Sequence, residues 1–270
     1  MNERPPDPDS LLYHRYWEPV LAGPAARMLE RIDTEPGVVL DIGAGTGSVS
    51  LMAAARWPQA RIIGVDASAG MLSVARYRVD VDRPDELGRF EWRPADAADI
   101  PLDDELADVV TSSFMLQLVD DRSAVLAEVL RVLRPGGTFA MVTWIAEELL
   151  MSADDAFNEV VERLGFDEPT DGFRPSKVTD YQRLSDASEE LEAAGFERVE
   201  VVADDLHHAW TRDEYLTFKR CYDDRELFDE LERSDRDRLI EQVRVRWAEL
   251  PDSAFEISGP LVCALARKPS

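Results

Sequence analysis

Residues 38–50 read VVLDIGAGTGSVS, and the fold turns on this stretch. An apolar strand ends at Asp41, glycines at alternate positions (Gly43, Gly45, Gly47) make a tight loop, and a helix runs on from about Thr46 to Arg56. Glycine lets the backbone turn sharply and lets a ligand approach its N–H groups. The helix N-terminus behind such a loop favours negative or polar ligand groups. A glycine-rich strand-to-helix turn is a weak signal by itself, and a turn that binds nothing has the same appearance.

Outward from this turn, strand-like and helix-like segments alternate. The strand candidates are VVLDI (38–42), RIIGVD (61–66), RFEWRPAD (89–96), ADVVTSS (107–113) and TFAMVTW (138–144). Helical patterns lie between most of them; in DRSAVLAEVLRVLR, Leu126, Val129, Leu130 and Leu133 share one face. Pro135, Gly136 and Gly137 stop that helix and turn the chain into the next strand. Alternating βα units imply a parallel sheet with helices on both faces. After Trp144 the rhythm changes. A helix opens at Ser152 and closes at Gly165, a loop-rich stretch runs to about Asp186, and a helix ending at Gly195 precedes the strand FERVEVVA. Residues 211–250 read as a helical pair, opened by a capping box of Thr211 and Glu214, and GPLVCALAR reads as a last strand. At the N-terminus, residues 1–10 read as a loose Pro- and Asp-rich tail. LLYHRYWEPVLAGPAARMLERI reads as two short helices broken near Pro19 and restarted at Pro24. The expected fold is therefore α/β: a doubly wound, Rossmann-like, seven-stranded and mostly parallel sheet, with helical inserts capping its carboxyl edge. The expected organisation is an N-terminal tail and lid helices over 1–35, then one domain over 36–270 with inserts at about 145–185 and 207–255.

Three successive strands end in carboxylates: Asp41, Asp66 and Asp96. Ligands of open α/β sheets bind at the carboxyl ends of the strands, so these acids are expected to line one crevice. Asp66 lies 19 residues beyond Gly47, where doubly wound folds place an acid on ribose hydroxyls. Any one strand-end aspartate is as well explained as a loop or helix cap. Three of them around a glycine loop are harder to explain that way. The dinucleotide fingerprint Gly-x-Gly-x-x-Gly needs a small residue three places after its second glycine. Here Ser48 stands at that place and the third glycine comes one position early, at Gly47. The spacing counts against a nicotinamide-dependent oxidoreductase.

DIGAGTG resembles the first motif of the class I S-adenosylmethionine (SAM)-dependent methyltransferases, and GVDASAGML (64–72) resembles the motif that follows it. ADAADIPLDDELADVV (95–110) is similar to the family's adenine loop and fourth strand, and LRVLRPGGTFAMVTW (130–144) to its fifth-strand motif. The resemblance covers about residues 36–145, with LEAAGFERVEV (191–201) a looser match, and points to the branch that includes ubiquinone/menaquinone-type C-methyltransferases. It implies SAM as cofactor. It implies a Gly43-Ala44-Gly45 backbone running past the methionine part and Asp66 on the ribose with Ala67 and Met71 beside the adenine. Asp96 would accept from the adenine amino group near the Ala97 N–H. Ser113, Phe114 and Gln117 would stand at the methionine moiety and reaction centre. Gln117 occupies a position that is often histidine in relatives. Tyr13, Tyr16 and Trp17 are candidates for a lid over the cofactor, or for ordinary helix packing.

Methyl transfer is an in-line displacement at a carbon already activated by sulfonium. Alignment and water exclusion can supply much of the effect, and a base is needed only for a protonated acceptor. No catalytic triad or metal cluster is therefore required, and none is visible. The Asn/Asp-Pro-Pro-aromatic motif of amino-methylating DNA enzymes, the paired glutamates of protein-arginine methyltransferases and the carboxylates of metal-dependent catechol-type enzymes are all missing. Ser112-Ser113-Phe114-Met115 and Trp144-Ile145-Ala146 stand in their places. A small organic acceptor without metal follows as the expectation. His207 and His208, read as following the sixth strand, are candidate general bases, with His14 a weaker one. Trp144 is a candidate apolar wall. Phe157, Phe173, Tyr215 and Phe218 are candidates for an aromatic pocket, although helical spacing favours core for Phe157, Tyr215 and Phe218.

Composition sets the outer bounds. The 270 residues hold 30 Lys and Arg against 55 Asp and Glu, a net charge of −25, with 45% hydrophobic residues. That hydrophobic share supplies a core and excludes a disordered chain. The acidic balance repels phosphate backbones, so no nucleic-acid partner is expected; the composition fits a salt-accumulating organism or a GC-rich genome. The longest uncharged run, Ile42–Ala55, has 14 residues, short of the roughly 20 a membrane span needs. With no basic, apolar leader pattern at the start, a cytoplasmic protein is expected. Cys221 and Cys263 are too few for a disulfide framework or a Cys-rich zinc site. A homodimer stays open, and so does a SAM-binding regulatory protein without turnover, because function lives in the site and not in the fold.

Overall fold

The computed structural model describes residues 5–146, 151–166 and 181–270. Two compact units are drawn from it, one from Met1–Ala146, Lys177–Asp205 and Pro260–Ser270, the other from Glu147–Ser176 and Leu206–Gly259.

The first unit is built on the sheet. Strands β1 (Val38–Ile42), β2 (Arg61–Asp66), β3 (Phe90–Pro94), β4 (Ala107–Ser113), β5 (Leu133–Trp144), β6 (Glu197–Ala209) and β7 (Glu256–Arg267) stand in the order β3-β2-β1-β4-β5-β7-β6. The pairs β1–β2, β1–β4, β2–β3 and β4–β5 are parallel, and β5–β7 is antiparallel. This is the mostly parallel, seven-stranded, doubly wound sheet expected from the alternating pattern. Central strands buried on both faces read as unbroken apolar runs; β1 and β2 are buried along nearly their whole length. Strand order runs outward in both directions from β1 and β4, so the crevice at a topological switch point opens where these two strands end. Asp41 and Ile42 lie there beside Thr111 and Ser112.

Helices α1 (Pro8–Tyr16) and α2 (Glu18–Glu30) differ from the reading of the N-terminus. Asp7 caps α1, its carboxylate accepting from the Ser10 N–H at 2.9 Å, so order begins before Ser10. The break falls at Trp17, Pro19 occupies the first turn of α2, and Pro24 lies inside it. A mid-helix proline removes a backbone hydrogen bond. Here Val20, Leu21, Ala25, Met28 and Leu29 are all buried along the same helix, and packing outweighs that loss. Helix α3 (Ser48–Arg56) starts two residues later than expected, because Gly47 at φ +84° is left-handed and cannot be its first turn. Helix α4 (Ala69–Asp82) is capped by Ser68 and α5 (Arg122–Val132) by Asp121. Leu133, assigned by its spacing to α5, begins β5 instead. Strand β3 stops at Pro94, and Asp96 forms a turn, its carboxylate accepting from the Ala98 N–H at 2.9 Å.

Helices α6 (Ser152–Leu164) and α7 (Leu184–Ala194) end at Gly165 and Gly195 as their sequences indicate, both glycines being left-handed. The stretch read as a helical pair is in pieces: α8 (Arg212–Phe218), a π turn at Lys219–Asp223, α9 (Arg225–Glu230) and α10 (Arg233–Trp247). The Thr211–Glu214 capping box is present. In the second unit Phe157, Tyr215, Phe218, Trp247 and Phe255 are buried together, ring centroids 5.2–6.5 Å apart, for example Trp247 to Phe255 at 5.2 Å and Phe157 to Trp247 at 6.5 Å. These rings are core, not pocket wall; Phe173 lies outside the described residues. Among the described residues no helix is long and apolar enough to cross a membrane, and both cysteines are free thiols.

Candidate cofactor site

The loop after β1 holds all three of its glycines at positive φ, but each for a different reason. At Gly43 (φ +66°) a side chain would strike Met115, whose Cγ would stand 2.3 Å from the new Cβ. At Gly47 the crowding comes from Ala75 and Trp92, both at 3.0 Å. At Gly45 (φ +55°) the nearest atom is Gly43 O, 4.0 Å away, so a Cβ would project into open space. The loop is pinned from β2: the Ala44 N–H donates to Val65 O at 3.0 Å and the Gly45 N–H to Asp66 Oδ2 at 2.8 Å. Asp66 Oδ1 accepts from the Ser68 N–H, also at 2.8 Å. Each Asp66 oxygen thus has one backbone donor and one lone pair left for a ligand.

Beside the loop lies a pocket open to solvent. Gly43, Ala44, Gly45 and Thr46 form one wall and Ser113, at the end of β4, another. The third wall is a face of α2, with Glu18, Leu21, Ala22 and Ala25 at helical spacing, extended by Tyr13 from α1. Of the residues the motifs nominate, Gly43, Ala44, Gly45 and Ser113 are in the wall, and Asp66 is tied to it through Gly45. Tyr16 is not, although its neighbour Tyr13 is; Arg15 places its guanidinium 5.4 Å from the Tyr16 ring centroid. Ala67 is exposed, Met71 half-buried with its N–H on Ser68 Oγ, Asp96 exposed and Ala97 packed against the core of the sheet.

Two nominated polar residues face elsewhere. Asp41 is buried, and its oxygens accept from Ser50 Oγ at 2.7 Å and Thr111 Oγ1 at 2.9 Å. It ties α3 and β4 to β1 and does not line the crevice. Burial pushes its carboxyl up to about 6 against the pull of those two hydrogen bonds. Gln117 is likewise buried: its Nε2 donates to Phe114 O at 2.7 Å and its Oε1 accepts from Thr143 Oγ1 at 2.6 Å. With both ends of the amide engaged, Gln117 braces the β4 terminus, where Phe114 adopts φ +53° and donates its N–H to Val142 O. Phe114 and Trp144 pack with ring centroids 5.2 Å apart.

The residue that motif reading passes over is Glu18. It is 8% exposed, and a single oxygen, Oε2, accepts from His14 Nδ1 at 3.0 Å, from Arg78 Nη1 at 3.0 Å and from Thr46 Oγ1. Arg78 Nη1 also donates to Thr46 O at 2.7 Å. Burial pushes the Glu18 carboxyl up, but the His14 hydrogen bond, the Arg78 charge and the Thr46 hydroxyl together hold it below the usual carboxylate range. A charged residue on the apolar α2 stripe was the visible signal. His14, a weak candidate base, is a member of this cluster.

His207 and His208 belong to the second unit and lie within β6, not after it, because the strand continues to Ala209. The His208 ring meets Trp210 edge-on at 4.4 Å, and burial holds its pKa below the ordinary value despite the nearby Glu214.

Residues 40–141 match the methyltransferase domain family. A ubiquinone/menaquinone biosynthesis C-methyltransferase of Desulfotalea psychrophila is 39% identical over 106 residues, 39% of this chain and 40% of that protein. A malonyl-(acyl-carrier protein) O-methyltransferase of Xylella fastidiosa is 37% identical over 120 residues, 41% of this chain and 37% of that protein. The chain therefore spans about 40% of the length of these curated relatives. In fold it is similar to the YcgJ protein of Bacillus subtilis, with a TM-score of 0.58 at 20% identity, over 92% of this chain and 99% of that one. The matched residues begin at the end of β1 and run into β5, the segment that carries the glycine loop, Asp66 and the β4 terminus. Over residues 40–141 the chain is thus similar to the methyltransferase domain family, and along that stretch it resembles the ubiquinone/menaquinone C-methyltransferase branch.

Proposed function

We propose that the protein binds SAM at the glycine loop and transfers its methyl group to O, N or C of a small organic acceptor. The observation that carries this is the loop itself: beyond its chain neighbours Gly45 has no atom nearer than 4.0 Å to where a side chain would stand, and its N–H donates to Asp66. A ligand can thus lie against bare backbone with a carboxylate beside it. SAM fits the acceptors present. Asp66 keeps a lone pair on each oxygen for a pair of ribose hydroxyls, and the pocket beside the loop opens between it and the α2 face. SAM supplies a methyl group already activated by sulfonium. The chain's own contribution is to hold donor and acceptor in line and keep water out, which by itself can account for much of the rate. The α2 face and the Phe114–Trp144 pair suit the second task, being apolar. The matched relatives' names include a C- and an O-methyltransferase, which supports methyl transfer and leaves the acceptor atom to experiment. The chain's acidic charge favours a small metabolite over nucleic acid.

The test is a calorimetric titration of SAM, S-adenosylhomocysteine (SAH) and NADH into wild type and Asp66→Ala, at low and high salt. Micromolar binding of both adenosyl ligands, weakened at least tenfold by Asp66→Ala and absent for NADH, is expected. Folded wild type that binds neither adenosyl ligand at any salt would sink the reading.

A further inference from the structure

Among the residues that wall the pocket, Glu18 is the one carrying a formal charge. Its hydrogen bonding is lopsided. Oε2 takes the donors of His14, Arg78 and Thr46, while among the described residues no donor reaches Oε1. The side chain lines the pocket and keeps 11% of its surface open. A salt bridge that served only to fasten α2 to the loop would spread its donors over both oxygens, as bidentate Arg–carboxylate pairs do. Here three groups from α1, α4 and the glycine loop hold one oxygen and leave the other unclaimed. A carboxylate oxygen so held is a charge-assisted acceptor fixed before its ligand arrives, which lowers the ordering cost of binding.

We propose that Glu18 Oε1 is the acceptor for the α-ammonium group at the methionine end of the bound adenosyl ligand, with His14, Arg78 and Thr46 as positioning residues that hold Oε2. The inference rests on the reading that this pocket binds SAM. Three features of the ligand's chemistry select the ammonium. Sulfonium has no hydrogen to donate, the ligand's own carboxylate is repelled by Glu18, and the ammonium offers three donors. The neighbouring wall of Leu21, Ala22 and Ala25 has no side-chain acceptor to compete.

The test is a cycle in which the ligand supplies one of the two changes. Dissociation constants are measured for SAH and for desamino-SAH, the same molecule with hydrogen in place of the ammonium, against wild type and Glu18→Gln, with thermal unfolding run in parallel. Wild type is expected to prefer SAH by about tenfold or more, the scale of a hydrogen bond to a charged group. Glu18→Gln is expected to weaken SAH by a similar factor, to leave desamino-SAH within about threefold, and so to erase the preference. Equal weakening of both ligands would make Glu18 a fastener of α2 and overturn the proposal. So would unchanged binding of both. Equal affinity of wild type for the two ligands would overturn it whether or not the variant folds. If Glu18→Gln does not fold, Glu18→Asp, which withdraws the charge by one methylene, takes its place, and a preference kept in full overturns the proposal. Failure of wild type to bind SAH at all is a separate outcome, which removes the reading of the pocket and this inference with it.

Discussion

Two alanine substitutions two residues apart, Gly43→Ala and Gly45→Ala, should fail in different ways. Both put an L-residue into left-handed backbone, at φ +66° and +55°, for about 1–2 kcal/mol. At Gly43 the new Cβ would also stand 2.3 Å from Met115 Cγ and 2.5 Å from Met115 Cβ. These are the near atoms of the side chain, so a rotamer change cannot clear them, and overpacking adds about 1–3 kcal/mol. Gly43→Ala is therefore expected to cost about 2–5 kcal/mol of stability, a large share of the usual 5–15. Met115→Ala should cost less in that background than in wild type, by about 1 kcal/mol or more, because the two changes share one space. At Gly45 the nearest atom is 4.0 Å away. The stability loss there should stay near the backbone strain alone, while the methyl group projects where the ligand would lie. Urea unfolding reads the first quantity and calorimetric titration of SAH the second. Equal stability losses for the two variants, or Gly45→Ala binding SAH as wild type does, would refute the division of labour assigned to these glycines.

Two further expectations concern buried charge. Asp41, raised to about 6 by burial, ionises less readily in the folded chain than in the unfolded one. Its ionisation therefore costs stability at pH 7, and the cost shrinks as pH falls through 6. From pH 7 to pH 5 wild type should gain about 1 kcal/mol relative to Asp41→Asn; urea unfolding curves for the two proteins that shift in parallel over this range would contradict it. Lys219, 1% exposed, is held by Asp154 and Asp223 at 2.6 Å each and by Asp224. Lys219→Met strands those carboxylates and should cost about 3–5 kcal/mol in thermal or urea unfolding, and a loss under 1 kcal/mol would show that water reaches the cluster.

Much of the fold was legible because its signals are local. The glycine loop needs positive φ at Gly43, Gly45 and Gly47, the apolar runs of β1 and β2 suit strands buried on both faces, and Gly165 and Gly195 end helices by their own geometry. Errors came where a local rule met a distant partner. Pro24 reads as a helix start until the buried face of α2 is known, and Leu133 fits the periodicity of α5 but pairs with Ala107 in the sheet. Residues 211–250 carry a helical period throughout, yet a π turn at Lys219–Asp223 interrupts them, where Lys219 pairs with Asp154, Asp223 and Asp224.

The site was legible as a place but not as a set of roles, and hydrogen-bond capacity explains why. Asp41, Asp66 and Glu18 are equivalent as sequence: each is an acid at the edge of an apolar segment. What separates them is whether an acceptor position the protein leaves unused can be reached by a ligand. Asp41 is engaged at both oxygens by Ser50 and Thr111, nine and 70 residues away, inside a fully packed interior. Asp66 gives one position on each oxygen to backbone and keeps two. Glu18 concentrates its partners, from residues 4, 28 and 60 positions distant, on one oxygen. A strand-end motif nominates Asp41 and Asp66 alike and is silent on Glu18. Accessible lone pairs rank them in another order: Glu18 Oε1 faces the pocket, Asp66 is only partly buried, and Asp41, 1% exposed, is closed off by packing. The same reckoning turns Gln117 from a cofactor contact into a brace, since Phe114 and Thr143 use both ends of its amide. Titration of SAH into Asp41→Asn and Gln117→Glu should accordingly report altered stability before altered affinity, and Glu18→Gln and Asp66→Ala the reverse.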